Sequence, residues 1–265
     1  MSVNRASVVL RLAGPLQSWG TSSRHNRRAT TGEPTKSGVV GLLAAAEGRR
    51  RTEPVDDLVR LDLAVRIDQP GQLRRDYHTV SRLDSGPLPS TAVTARGRQK
   101  PTSPPKFTHV TERYYLEEAV FTVAIAGAEA LVAALAKAVQ NPAFPLALGR
   151  RACVPTQPLL LPQEDGLLWL GDQLEVLATV PWQASQSVRM RGHRGGYFTD
   201  LVALPVVIDD PAGTEIRDDV PLSFHPKDRR YASRRVSQHW VNVTTGLAST
   251  TGGSGPHDPF ALLGW

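Results

Sequence analysis

The chain has 265 residues, with 31 Lys and Arg against 25 Asp and Glu, a formal net charge of +6 and a pI of about 9.8. That length buries a core as one large domain or two small ones without staples. A single cysteine, Cys153, excludes a disulfide framework and a cysteine-based zinc site, and no apolar run approaches the ~18 residues that cross a bilayer, so a soluble, cytoplasmic protein with no membrane partner is expected.

Most of the positive charge is Arg, since Lys occurs only at positions 36, 100, 106, 137 and 227. A guanidinium offers a planar fork to phosphate and a face to a base, so the bias suits a nucleic-acid partner; a GC-rich genome raises Arg as well. Placement favours the partner. Arg24, Arg27 and Arg28 follow the opening loop, Arg49, Arg50 and Arg51 follow a helix, Arg74, Arg75 and Arg82 flank DYHTVSR, and Arg229, Arg230, Arg234 and Arg235 crowd a late segment, with nearly uncharged apolar stretches between them.

Residues 7–12, SVVLRL, read as a strand closed by Gly14 and Pro15. The loop behind it, GPLQSWG, holds Trp19, either a core plug or a flat surface for a ligand. Pro34, Thr35 and Ser37 supply helix-start chemistry for a helix over about 35–47 ending near Gly48, and the internal Gly38 and Gly41, costly in a helix, imply a close packing contact. GEPTKSG is not a P-loop, because Thr35 precedes Lys36, Gly32 is too near and no strand leads into it. Lys36, Ser37 and the free N–H groups of the helix start can hold a phosphate; an ordinary capped helix is the alternative.

Residues 60–68, RLDLAVRID, alternate as a half-buried strand. Residues 69–113 then lack periodicity and are rich in Pro, Gly, Ser and charge, which predicts an inserted hairpin arm with its tip at ARGRQKPTSPPK. A strand centred on Phe121, Val123 and Ile125 follows, then a helix over AEALVAALAKAVQ stopped by Asn141 and Pro142, and a short extended piece at 146–148. This β-α-β-insertion-β-α-β order is the ferredoxin-like pattern, which RNA-recognition domains share. From about residue 151 the segments LLWLGD, QLEVLATV, YFTDLVALPVVID and RRVSQHWVNV read as short strands of a smaller β-rich C-terminal domain. From about residue 245 a linker-like tail ends in Phe260, Leu262, Leu263 and Trp265; such an apolar terminus docks on this chain or on a partner.

The seven histidines show no metal-ligand spacing, so no metal and no cofactor are expected. Tyr77, His78, Lys106 and His109 are residue types able to supply the base and acid of metal-free RNA cleavage, although spacing alone does not bring them together. RGHRGGYF is either a Gly-rich approach to a phosphodiester or a plain turn.

RLAGPLQSWG, TGEPTKSGVVGLLAAAEG, RDYHTV, RYYLEEAVFTVAI, LGRRACVP and DDVPLSFHPKDRRYASRRV, in this order over residues 11–236, resemble the CasD family of CRISPR-associated proteins of type I-E systems. The resemblance implies an α+β fold: a ferredoxin-like (RRM-like, RAMP-type) domain over 1–150 with an inserted β-hairpin thumb at about 69–113, the β-rich domain filling 151–265. It implies a non-catalytic subunit of the Cascade surveillance complex that holds the 5′ handle of CRISPR RNA, packs its thumb on the backbone subunit CasC, supports the large subunit CasA and meets target DNA only indirectly. The RNA-binding residues so implied are Gly14, Pro15, Gln17, Ser18 and Trp19 in the opening loop, Arg24, Arg27 and Arg28 behind it, Lys36 and Ser37, Arg74, Arg75 and His78, and Arg150 and Arg151 in LGRRAC. Type I-C relatives cleave CRISPR RNA with Tyr, Lys and His, which makes a metal-independent endoribonuclease the rival reading; in type I-E a separate subunit, CasE, does that work. A basic DNA- or ribosome-associated scaffold explains the charge but not the motif order. The C-terminal half is longer than a compact CasD-like protein needs around 189–219 and in the tail, so family contacts do not carry over there.

Overall fold

The structure, a computed structural model, describes residues 4–20, 26–194 and 200–246. In chain order it contains β1 (Arg5–Ala13), β2 (Leu16–Gln17), β3 (Arg27–Arg28), α1 (Lys36–Ala46), α2 (Asp56–Val59), β4 (Asp62–Gln69), β5 (Gln72–Ser81), β6 (Pro89–Val93), β7 (Gln99–Pro101), β8 (Thr108–Glu117), β9 (Val120–Ala128), α3 (Glu129–Gln140), α4 (Gln173–Thr179), α5 (Gln186–Arg194), β10 (Leu201–Asp209), β11 (Glu215–Ser223) and β12 (Arg230–Thr244). The architecture is mixed α+β around antiparallel sheet.

Six strands form the main sheet in the order β1-β9-β4-β10-β12-β11, every neighbouring pair antiparallel. Alternation along each strand sorts side chains between two faces. Val8, Leu10 and Leu12 of β1 stand opposite Ile125, Val123 and Phe121 of β9 and pack with Leu63 and Val65 of β4 against α1 and α3. The other face is smaller: Val9, Ala64 and Ala124 meet Val176 and Leu177 of α4, and Trp182 joins them.

The strands expected at 7–12, at 60–68 and around Phe121, Val123 and Ile125 form as β1, β4 and β9, and both expected helices of the first half form as α1 and α3. α1 is capped by Thr35, whose side chain accepts from Gly38 N–H at 3.2 Å. It ends in a Schellman turn: Gly48, at φ +80°, donates to Ala45 C=O, and Arg49 donates to Ala44 C=O. The expected insertion folds as a long antiparallel ribbon of β5 and β8, paired from Gln72↔Glu117 to Ser81↔Thr108 and carrying the small β6–β7 hairpin at its end.

Three expectations are corrected. QLEVLATV forms the helix α4, not a strand; Asp172 and Glu175 form a capping box around its first turn, a signal visible in the sequence. LLWLGD and residues 146–148 are not strands. Instead of a regular strand outside β1, single bridges join Leu160 to Leu10 and Trp169 to Ser7. The last two strand candidates do form, within β10 and β12. Of RGHRGGYF, residues 191–194 close α5 and the remainder lies outside the described residues, as does the tail beyond Gly246. Beyond residue 151 the chain returns to the main sheet, where β10 pairs with β4 from Val206↔Arg66 to Ile208↔Ala64, so hydrogen bonding continues from the N-terminal strands into the C-terminal ones.

Charge is buried between the sheet and α4. Arg66 has no solvent exposure and pairs with Asp68 at 2.7 Å. It also donates to the backbone oxygens of Leu177, Val180 and Pro181, taking up carbonyls that the end of α4 leaves without helical partners. Arg66→Met strands the Asp68 carboxylate, and a loss of about 3–5 kcal/mol is expected in urea unfolding.

Candidate nucleic-acid interface

The opening loop is a staple inside the molecule. Gln17 and Trp19 are fully buried and Ser18 nearly so. The Gln17 amide donates to Leu12 C=O at 3.0 Å and Ala119 C=O at 2.7 Å, tying the end of β1 to the start of β9, and its oxygen accepts from the Trp19 indole at 3.1 Å. Ser18 Oγ donates to Tyr114 C=O. The Trp19 ring lies on Gly38, where an added Cβ would sit 2.6 Å from it, which accounts for a glycine inside α1. Gly14 is buried against Val154 C=O, leaving Pro15 and Gly20 as the exposed positions of the loop. The polar atoms of Gln17, Ser18 and Trp19 are thus used inside the molecule, which removes the Gln17 side chain from the surface, while Ser18 and Trp19 still line the groove described below.

Lys36 is corrected on the same ground. Its Nζ pairs with Asp209 at 2.8 Å, with both side chains about nine-tenths buried. Arg234 bridges Asp209 and Asp219, and Asp219 also accepts the Lys36 backbone N–H at 2.8 Å. A protein carboxylate thus holds the start of α1 where a phosphate was expected. Ser37 is buried too, its hydroxyl 3.3 Å from that of Thr35. Glu33, beside this group, pairs with Arg217 at 3.1 Å, yet burial is the larger influence and raises its pKa.

The surface feature that remains is a groove of about 1230 Å³ along α1. Gly41 and Ala45 recur at helical spacing along it, and side chains this small let a polymer backbone approach the helix closely, whereas Gly38 is covered by the Trp19 ring. Arginines reach it from four parts of the chain: Arg28 from β3, Arg49, Arg50 and Arg51 from the turn after α1, Arg150 and Arg151 from LGRRAC, and Arg229 from the loop before β12. Asp218 is the acidic residue among its lining. Phe144, Phe224 and Tyr231 add aromatic surface, with Arg229 5.9 Å from the Tyr231 ring.

These arginines divide by their partners. Arg49 pairs with Asp57 and Glu47, and the hydrogen bond to Asp57 leads the causes that raise its pKa. Arg150 donates to the C=O groups of Tyr114 and Arg28 and lies 4.8 Å from the Tyr115 ring, so it braces the groove. Arg28, Arg50, Arg51, Arg151 and Arg229 form no ion pair among the described residues, leaving their charge to the groove.

Other expected residues lie elsewhere. Arg27 is exposed and 5.0 Å from the Tyr114 ring. Arg74 pairs with Glu117 and Arg75 with Glu112 on the β5–β8 ribbon. His78 is 2.9 Å from Asp76 and 3.4 Å from Tyr115 Oη; register sets it on the same ribbon face as His109, while Lys106 lies outside β8. Arg24 falls outside the described residues. Sequence reading marks the clusters at 49–51 and 229–235 but does not join them, and it misses Phe144, Phe224 and Tyr231; that the two clusters meet depends on β11 lying over α1. Among the described residues no group of three His, Cys, Asp or Glu is arranged to hold a metal, and no helix is long and apolar enough to cross a membrane.

An antiparallel α+β protein with unpaired arginines converging over a small-residue helix face is suited to hold a polyanion. The chain belongs to the Cas5 family of CRISPR-associated proteins, whose sequence model matches residues 7–237. It is 36% identical over 173 residues to the CRISPR system Cascade subunit CasD of Escherichia coli (strain K12), covering 59% of this chain and 70% of that protein. A chain of a solved CRISPR RNA-guided surveillance complex matches with a TM-score of 0.69 and 35% identity, over 90% of this chain and 91% of that one. A solved Cas protein matches at 0.62 and 34%, over 89% and 94%.

The buried charges can be tested directly. Lys36→Ala leaves Asp209 with one cation fewer, so thermal unfolding shifts to lower temperature. Burial raises the Glu33 pKa in the folded chain above its unfolded value, so the proton is held more tightly when folded. The stability of the parent relative to Glu33→Gln therefore falls as pH rises from the ordinary glutamate value of about 4.3 toward neutrality, as read by urea titrations.

Proposed function

We propose that this chain is a subunit of a Cascade-type CRISPR surveillance complex that holds the 5′ handle of CRISPR RNA in the arginine groove. The observation that carries this reading is the convergence of Arg28, Arg50, Arg51, Arg151 and Arg229, without ion-pair partners among the described residues, over the Gly41–Ala45 face of α1. Phosphates would meet the guanidinium groups, and Tyr231, Phe224 and Phe144 offer stacking surface to splayed bases. Single-stranded RNA, whose bases are free to turn outward, suits this mixture better than a duplex.

In this reading β1, α1, β4, β9 and α3 are the ferredoxin-like, RAMP-type core, and the β5–β8 ribbon is the thumb that packs on CasC, with CasA as a further neighbour. Exposed Leu73, Tyr77, Val80 and Phe107 on and beside the ribbon support a protein contact there. The role is read as non-catalytic because the groove offers charge and stacking surface, and His78 sits on the β5–β8 ribbon, not among the residues that line the groove. Repeat RNA incubated with the protein in EDTA is expected to stay intact; specific cleavage that disappears in His78→Ala would support the endoribonuclease instead.

Binding of 5′-handle RNA, followed by fluorescence anisotropy across a salt series, tests the groove. Arg50→Ala with Arg51→Ala weakens binding and lowers the salt slope by about 0.7 for each phosphate that is no longer neutralised. Tyr231→Ala costs about 1–3 kcal/mol if a base stacks on it, with the slope unchanged. Unaltered affinity in all of these variants would move the RNA site away from the groove.

A further inference from the structure

On the sheet face opposite the α4 core, the ends of β10 and β12 carry an uncharged strip. Leu201, Ala203 and Pro205 stand across from Thr244, Asn242 and Trp240. Leu201 is 52% and Trp240 70% exposed, and Ala203 is exposed as well. The alternate residues Val202, Leu204, Val241 and Val243 are buried with Trp182 and Leu177, so the ribbon is fixed on one side and bare on the other. The pairing of β11 with β12 ends at Glu215↔Val236, leaving residues 237–244 paired on one side only among the described residues. A large tryptophan on such a surface marks an interaction site.

We propose that the strip is covered by the C-terminal segment of this same chain, through Phe260, Leu262, Leu263 and Trp265. The chain leaves the ribbon at Thr244, and the segment beyond Asp258 carries no charged side chain, matching the strip. Between Gly246 and Phe260 lie 13 residues that include Gly252, Gly253, Ser254 and Gly255. A Gly/Ser-rich tether of that length has an r.m.s. span of about 20 Å, and four strand residues separate Thr244 from Trp240 by about 14 Å. A tether whose span matches its target presents its end at about millimolar effective concentration, which favours the attached segment over a second copy in dilute solution. Nothing in this contact requires RNA.

Acrylamide quenching of the full chain without RNA tests the proposal. Trp19, Trp169 and Trp182 are buried, so in a Trp265→Phe background Trp240 is the exposed tryptophan among the described residues. The expected result is protection of Trp240 that does not change on dilution and disappears both in Leu263→Asp and on truncation after Gly246. Protection returns when a peptide of residues 257–265, carrying the same Trp265→Phe change, is added to the truncated chain. Equal quenching in the full and truncated chains overturns the proposal. So does protection that disappears on dilution, which assigns the strip to a second copy.

Discussion

Four buried charges, Lys36, Arg234, Asp209 and Asp219, fix the geometry on which the rest of the molecule depends. They come from α1, β12, β10 and β11 and balance as two cations and two anions. Desolvating them is costly, and each is compensated only while all four elements are in place. Asp219 holds the first turn of α1 while Asp209 also accepts the Leu63 N–H at the start of β4. The group therefore ties the helix to the strands that curve over it. That attachment sets the small-residue face of α1 beside β11 and the loop before β12, and the groove lies between them.

The same arrangement separates two kinds of arginine. Arg66 and Arg234 are enclosed with carboxylates and backbone oxygens and serve the fold. Arg28, Arg50, Arg51, Arg151 and Arg229 reach the groove without carboxylate partners among the described residues. Composition counts both kinds alike, and only burial distinguishes them. The net charge of +6 thus understates how strongly positive the groove is, because acidic residues such as Asp62, Asp84 and Glu117 are held in ion pairs elsewhere.

Local pattern is legible wherever local physics governs. The β-branched and apolar run of SVVLRL, the alternation of RLDLAVRID, the Thr35 cap and the Gly48 stop each act within a few residues, and the elements form where they are expected. QLEVLATV reads as a strand because a short apolar stretch does not by itself separate strand from helix, whereas the Asp172–Glu175 capping box does. The polar groups of Gln17, Ser18 and Lys36 mislead for a different reason. Polar residues in a loop and a lysine at a helix start are ordinary ligand contacts. Here the internal partners of Gln17, Ser18 and Lys36 are Ala119, Tyr114 and Asp209, which lie 102, 96 and 173 residues away.

Sequence alone was enough for β1, α1, β4, β9 and α3, the inserted ribbon, the excess of arginine in discrete clusters and the ordered motifs of a CRISPR-associated family. Long-range packing settled which of those arginines face solvent, that Trp19 props α1 from within, and that segments near residues 28, 50, 151 and 229 share one groove. Charge and hydrogen-bonding capacity belong to a residue, whereas burial and partnership belong to contacts between distant parts of the chain.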